Sequence, residues 1–150
     1  PPDVVERMLD LAEVRSDDRV FDLGCGDGRI AIAAARRGAH AIGVDCEPYW
    51  VEQSMLAARE AGLSDRAEFI AGDALGIDIS SASVVCLYLV HWSTRMMARH
   101  LQSHCAPGTR VVSHSFGFET LTGARCQSFV AASGDERHIH LWTIPASDAA

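Results

Sequence analysis

The stretch Asp22-Leu23-Gly24-Cys25-Gly26-Asp27-Gly28-Arg29-Ile30 sets three glycines at alternate positions directly after an apolar run. Arg19–Leu23 reads as a short strand. Ile30–Arg37, rich in alanine, reads as a helix closed by Gly38 at its C′ position. The glycines therefore occupy a strand-to-helix turn, and the same alternation continues outward from it. His40–Asp45 is a second strand. Pro48 opens a helix that runs to Ala61 and stops at Gly62. Glu68–Ala71 is a third strand, and Ser83–Leu89 a fourth, apolar enough to be buried on both faces. Ser93–Cys105 is a helix with Met96, Met97 and Leu101 inward, and Pro107-Gly108 turns into a fifth strand, Arg110–Ser113. Upstream, Asp3–Val14 carries apolar residues at helical spacing behind the opening prolines. Downstream, Gln127–Ala132 and His138–Ile144 read as a hairpin across Ser133–Glu136. Strand and helix alternate through residue 113, the pattern of a doubly wound α/β fold with a mostly parallel sheet, to which the C-terminal hairpin adds antiparallel order.

With 150 residues, 48% of them hydrophobic, the chain is expected to form one domain, residues 1–150, around a real core. The formal net charge of −7 argues against a broad nucleic-acid surface, which needs clustered Lys and Arg, so no nucleic-acid partner is expected. No apolar run approaches the roughly 18 residues of a membrane span. Pro1-Pro2-Asp3 offers neither a charged nor an apolar leader, so a signal peptide is not expected, and an opening proline suggests a start inside a longer chain. The five cysteines, at 25, 46, 86, 105 and 126, form no C-x-x-C pair. They read as reduced thiols in a cytoplasmic setting.

In a doubly wound sheet, ligands bind at the carboxyl ends of the strands, where the strand order reverses. Gly24, Gly26 and Gly28 let the backbone turn tightly and approach a ligand. A dinucleotide fingerprint would need G-x-G-x-x-G, and its third slot here is Arg29, which counts against a pyrophosphate. Two acids follow at strand ends. Asp45, about twenty residues past the loop, is placed to accept from both hydroxyls of a ribose. Asp73, in the run Ala71-Gly72-Asp73-Ala74-Leu75, is placed to accept from an exocyclic amine such as that of adenine. Asp22 would organise the loop or meet an ammonium through water. Separately, each feature has a plainer account: a structural glycine turn, or a strand-end aspartate that caps a helix, as Asp73 would at Ala74-Leu75. Together, in order and on successive strands, they describe a nucleoside joined to an amino acid. S-adenosylmethionine fits, with Asp22, Gly24, Cys25, Gly26, Gly28, Asp45, Cys46, Asp73 and Ala74 as the residues expected to hold it.

At these residues the sequence resembles the class I S-adenosylmethionine-dependent methyltransferases. VFDLGCGDGRIAIAAA (20–35) resembles the first motif of that family, AIGVD (41–45) the second and FIAGDAL (69–75) the third. The resemblance runs from Val4 to about Ile144. It implies a seven-stranded Rossmann-like sheet whose last strand inserts antiparallel beside the fifth, and S-adenosyl-L-homocysteine as product. GCGDGRI with VVCLYL (84–89) and GTRVVSHSF (108–116) is similar to small prokaryotic relatives of the ATP-synthase c-subunit lysine methyltransferases, some of which methylate protein lysines. Relatives carry a tyrosine-proline segment before the first helix that helps close the pocket; only Pro1-Pro2 stands here.

The acceptor side should be lined by the loops after the fourth and fifth strands, with Tyr88, His91 and Trp92 in one and His114, Phe116 and Phe118 in the other. Aromatics there would receive an alkylammonium by cation–π attraction. His91 or His114 would serve as a base, since imidazole titrates near neutrality; packing explains the same residues. His100, His104 and Cys105 have no second ligand cluster, so no metal is expected. His138 and His140 share a polar sheet face, and Arg36-Arg37 a solvated helix end. The leading acceptor is a protein lysine, since a chain with little covering material leaves its site open to a side chain presented by a partner. A small-molecule N- or O-acceptor covered by a second copy in a homodimer, and a cofactor-binding module without catalysis, stand as alternatives.

Overall fold

The computed structural model describes residues 2–88, 94–114 and 124–145. In chain order they form α1 (Pro2–Leu11), β1 (Arg19–Leu23), α2 (Arg29–Arg36), β2 (His40–Asp45), α3 (Pro48–Glu60), β3 (Ala67–Ala71), β4 (Val84–Leu87), α4 (Thr94–His104), β5 (Arg110–His114), β6 (Arg125–Val130) and β7 (Glu136–Thr143). The strands make one sheet in the order β3-β2-β1-β4-β5-β7-β6. The pairings from β3 through to β5 are all parallel, and β7 runs antiparallel between β5 and β6. The expected doubly wound, seven-stranded sheet with its antiparallel end is therefore present.

Alternation along β1 sorts the core into two layers. Val20 joins Val4, Met8, Leu9, Ile30, Ala31 and Ala34, so α1 and α2 cover one face. Phe21 and Leu23 join Ile42, Val44, Met97 and Leu101, so α4 covers the other. α3 packs beside α2 through Ala58, Ile32 and Ala35. The strand order reverses between β1 and β4, and the turn after β1 is the glycine loop.

Helix ends explain most boundary differences. α2 stops as read: Gly38, at φ 89°, sits at C′, and Ala39 N–H donates to the Ala34 carbonyl at 3.3 Å, a Schellman closure. α1 ends three residues before the expected Val14. Glu13 takes the left-handed φ of 54° that glycine usually supplies, and Val14 N–H donates to the Leu9 carbonyl at 3.0 Å. The hairpin starts earlier than read on both strands, because its turn spans Ala131–Asp135, closed by Ala131 N–H donating to the Asp135 carbonyl at 2.8 Å. β4 is shorter than read; Leu89 lies outside the described residues.

The end of the sheet opposite the glycine loop is braced by a partly buried ion pair between Asp18 and Arg110. Arg110 also donates to the Ala12 carbonyl at 2.7 Å, and Ser83 Oγ donates to Asp18 at 2.8 Å. Arg37 is not merely solvated: it ties the end of α2 to α1 through Glu6 at 2.6 Å and Asp10 at 2.8 Å. No helix among the described residues is long and apolar enough to cross a membrane.

Candidate active site

β1 and β4 pair as far as their last residues, Leu23 and Leu87, and the glycine loop leaves β1 at that carboxyl edge. Gly24, Gly26 and Gly28 have φ of 81°, 53° and 84°, a left-handed region costly to other residues. Gly24 and Cys25 N–H groups donate to the Val44 carbonyl at 2.8 and 2.9 Å, which sews the loop to β2. A Cβ on Gly26 would meet no atom within 4 Å, whereas one on Gly28 would lie 2.8 Å from both Cβ and Oγ of Ser54. The loop thus has one open side and one packed side.

One backbone N–H at the helix end after the loop is taken. Asp27 Oδ1 accepts from Arg29 N–H at 3.3 Å, and the Arg29 guanidinium returns to Asp27 at 2.6 Å. That ion pair holds the Asp27 carboxyl below its usual range, the hydrogen bond from Arg29 contributing most. A carboxylate on the N-terminus of α2 occupies the place where a phosphate would sit, in line with the Arg29 departure from the dinucleotide pattern.

Asp22 is fully buried, and neither carboxyl oxygen has a hydrogen-bond partner among the described residues. Burial foremost, then the negative charges of Asp45 and Asp27, push its carboxyl up to about 7. A buried carboxyl with unused acceptors beside a glycine loop is what a cationic amino group would satisfy. Asp45 holds the loop itself: Oδ2 accepts from Gly26 N–H at 2.9 Å and Oδ1 from Glu47 N–H at 2.9 Å. Each carboxylate oxygen has a second lone pair, so these bonds leave room for hydroxyl donors. Cys46 lies exposed next to it. Asp73 Oδ1 accepts from Leu75 N–H at 2.9 Å, so it caps a turn where the sequence suggested a short helix, and Ala74 is half-buried against the second core layer. The residues present thus fit S-adenosylmethionine: a loop open on one side, an unpartnered buried carboxyl and an acid at the end of β2. Burial first, then Asp22 and Asp45, push the Cys25 thiol up to about 12, which disfavours its thiolate form.

A cavity of about 230 Å³ joins Gly24, Gly26, Arg29 and Ile30 to Val5 of α1 and Tyr88 after β4. A second hollow of about 440 Å³ continues from it across α1 and α2, sharing Val5, Asp27 and Arg29. A larger one, about 480 Å³, lies at the outer edge between α3 and β3, away from the strand ends.

Tyr88 is 42% exposed. Its ring stacks on His114, with centroids 4.4 Å apart and planes 3° from parallel. His114 is buried. Its Nε2 lies 3.2 Å from Nη1 of Arg137 on β7. Arginine can only donate, so Nε2 accepts and the ring is neutral. Burial foremost, then Arg137 and His140, lower the imidazole to about 4. An imidazole with its acceptor nitrogen on a guanidinium is a poor proton acceptor, so the geometry suits His114 to supporting Tyr88 rather than to the base role. His91, Trp92, Phe116 and Phe118 lie outside the described residues. His100 and His104 stack at 4.2 Å, and no group of three metal-ligating side chains occurs among the described residues.

Sequence reading passed over three contributors. Ser54, buried on α3, donates to the Gly26 carbonyl at 2.8 Å. Gly43 leaves room for Phe69, whose ring would stand 2.6 Å from a Cβ there. Arg137 reaches His114 from a strand 23 residues on. The only sequence signal for Ser54 was a polar residue on the apolar stripe Val51, Ser54, Ala58 of a helix.

Residues 22–125 match the model of the ANTKMT methyltransferase domain. The chain is 41% identical to a protein-lysine N-methyltransferase of Saccharolobus islandicus, over 77% of this chain and 73% of that protein. It is 33% identical to the ATP-synthase c-subunit lysine N-methyltransferase of Mus musculus, over 79% of this chain but only 47% of that protein, so it spans about half the length of that relative. The crystal structure of an RNA methyltransferase from Salinibacter ruber in complex with S-adenosyl-L-homocysteine superimposes with a TM-score of 0.88 at 42% identity, covering 97% of this chain and 92% of that one.

Proposed function

This chain belongs to the ANTKMT methyltransferase family, and from that premise we propose that it methylates a lysine amine presented by a partner protein. S-adenosylmethionine is the donor and supplies, when bound, a methyl group on a sulfonium sulfur. The observation that carries the proposal is the place of Tyr88: an aromatic ring, half exposed, in the same cavity as Gly24 and Gly26. An alkylamine laid against that face would be drawn by the ring and aligned with the loop. The likeness to the Saccharolobus lysine methyltransferase along most of its length supports this acceptor.

In this reading the chain's own groups do the positioning. The glycine loop lets backbone approach the donor, Asp22 accepts from its amino group, and Asp45 accepts from ribose hydroxyls while keeping Gly26 in place. Asp73 keeps its role toward an exocyclic amine through Oδ2, since Oδ1 is held by Leu75. Tyr88 orients the acceptor and His114 backs the ring. The lysine ammonium would release its proton to water before reaction, and the nitrogen lone pair would then take the methyl as the methyl–sulfur bond breaks, leaving S-adenosylhomocysteine and a methylated ammonium. Five free thiols suit a reducing cytoplasm.

Three expected results follow from these roles. Asp45→Ala weakens S-adenosylhomocysteine by about 1–3 kcal/mol, since ribose donors lose their acceptor; titration calorimetry reads it, and an unchanged Kd removes Asp45 from the site. Tyr88→Ala lowers kcat/KM for the acceptor by about 3–30-fold with little change in product affinity. His114→Phe, which keeps a flat ring beneath Tyr88, retains most turnover. Its abolition there would restore His114 as a base.

The Salinibacter relative favours RNA as a second reading, and the net charge of −7 weighs against it. Labelled donor incubated with the chain and a cell extract separates them. Protease-sensitive label is expected, ribonuclease-sensitive label would replace lysine with RNA, and label only in small molecules would overturn both.

A further inference from the structure

We propose that Ser54 is a positioning residue for donor binding, setting the Gly26 peptide through its hydroxyl from the buried side of the loop. The Gly26 residue is gripped at both ends. Its N–H is held by Asp45 at 2.9 Å, and its carbonyl by Ser54 Oγ at 2.8 Å. Asp45 belongs to the end of β2 and Ser54 to the middle of α3, so two separate elements fix one residue. Ser54 is 0% exposed, which fixes its rotamer by packing. Gly28 lacks the Cβ that would stand 2.8 Å from Ser54 Oγ, so the loop's last glycine makes the space that the hydroxyl needs.

The open side of Gly26, where a Cβ would meet nothing within 4 Å, is the side left for the ligand. With its N–H and carbonyl both directed into the protein, the residue presents its bare Cα to the cavity. Loss of the Ser54 bond would free the peptide to rotate, and part of the binding energy would then go into ordering it again. Ser54 acts on the loop through the Gly26 carbonyl and, beside it, the Cys25 thiol, with no contact to donor or acceptor required.

The inference rests on the reading that the glycine loop holds the donor, so Ser54→Ala is measured beside Asp45→Ala. Ser54→Ala should raise the Kd for S-adenosylhomocysteine by about 3–15-fold, the range for one hydrogen bond. It should raise KM for S-adenosylmethionine likewise, and leave kcat at saturating donor and KM for the acceptor within about twofold. Ser54→Thr, which keeps the hydroxyl, should bind within about threefold of the native chain. Native affinity in Ser54→Ala overturns the role, as does equal loss in the Ala and Thr variants, or a loss confined to kcat. If Asp45→Ala also leaves affinity unchanged, the donor-site reading falls with it; if Asp45→Ala alone weakens binding, only the role of Ser54 falls.

Discussion

Gly28→Ala is expected to lower the melting temperature by about 5–15 °C and to remove measurable S-adenosylhomocysteine binding. Two costs combine. The left-handed φ of 84° costs a residue with a Cβ roughly 1–2 kcal/mol. The new methyl would stand 2.8 Å from Ser54 and 3.1 Å from the Phe69 ring, and such overpacking costs about 1–3 kcal/mol more. In a domain of this size each kcal/mol moves the midpoint by about 2–4 °C. Gly26→Ala is the contrast. Its φ is 53° and its Cβ would meet open space, so the fold should suffer less while the methyl enters the ligand's side. Thermal melting beside titration calorimetry reads both. Equal stability loss at the two positions would contradict the packed-side, open-side description of the loop.

Asp22→Asn should remove a pH dependence from the ligand-free protein. In the folded chain the Asp22 carboxyl is pushed up to about 7 by burial and by Asp45 and Asp27, whereas in the unfolded chain it titrates near 3.9. Between those values the unfolded chain has released a proton that the folded chain still holds, so stability falls as pH rises and levels off above about 7. The span corresponds to a loss on the order of 4 kcal/mol. The asparagine variant has no such slope. Denaturant melts from about pH 5 to 8 should show it gaining on the native chain with rising pH, and parallel curves would contradict the buried, unpartnered state of Asp22. The same variant should bind S-adenosylhomocysteine more weakly at about pH 8, where the native carboxylate is ionised and able to meet the amino group.

Where local chemistry decides a feature, the sequence carried it. β1 and β2 begin and end where their apolar runs do, and Gly38 and Gly62 stop α2 and α3 as glycine at C′ should. Glu13 does the same for α1, and no residue type announced it. The order of the two acids after the loop was readable because Asp45 closes β2 and Asp73 follows the end of β3 by two residues, and the carboxyl ends of parallel strands lie along one edge of a sheet. What lay beyond reach were contacts between distant elements. Ser54 meets Gly26 only because α3 packs beside the loop. Arg137 meets His114 only because β7 enters between β5 and β6, with His114 opposite Ile139. For His114 the sequence leaves base and packing roles both open; burial and the guanidinium at Nε2 weigh toward packing, and neither is written in its neighbours along the chain.

The claim that joins these observations is that the loop and Tyr88 present a methyl group to a lysine nitrogen. Mass spectrometry of proteins from an extract treated with the chain and S-adenosylmethionine bearing an isotopic methyl tests it directly. The expected result is the labelled methyl on the Nε of lysine, lowered in Tyr88→Ala at equal donor binding. Label on nucleotides with none on lysine would contradict it.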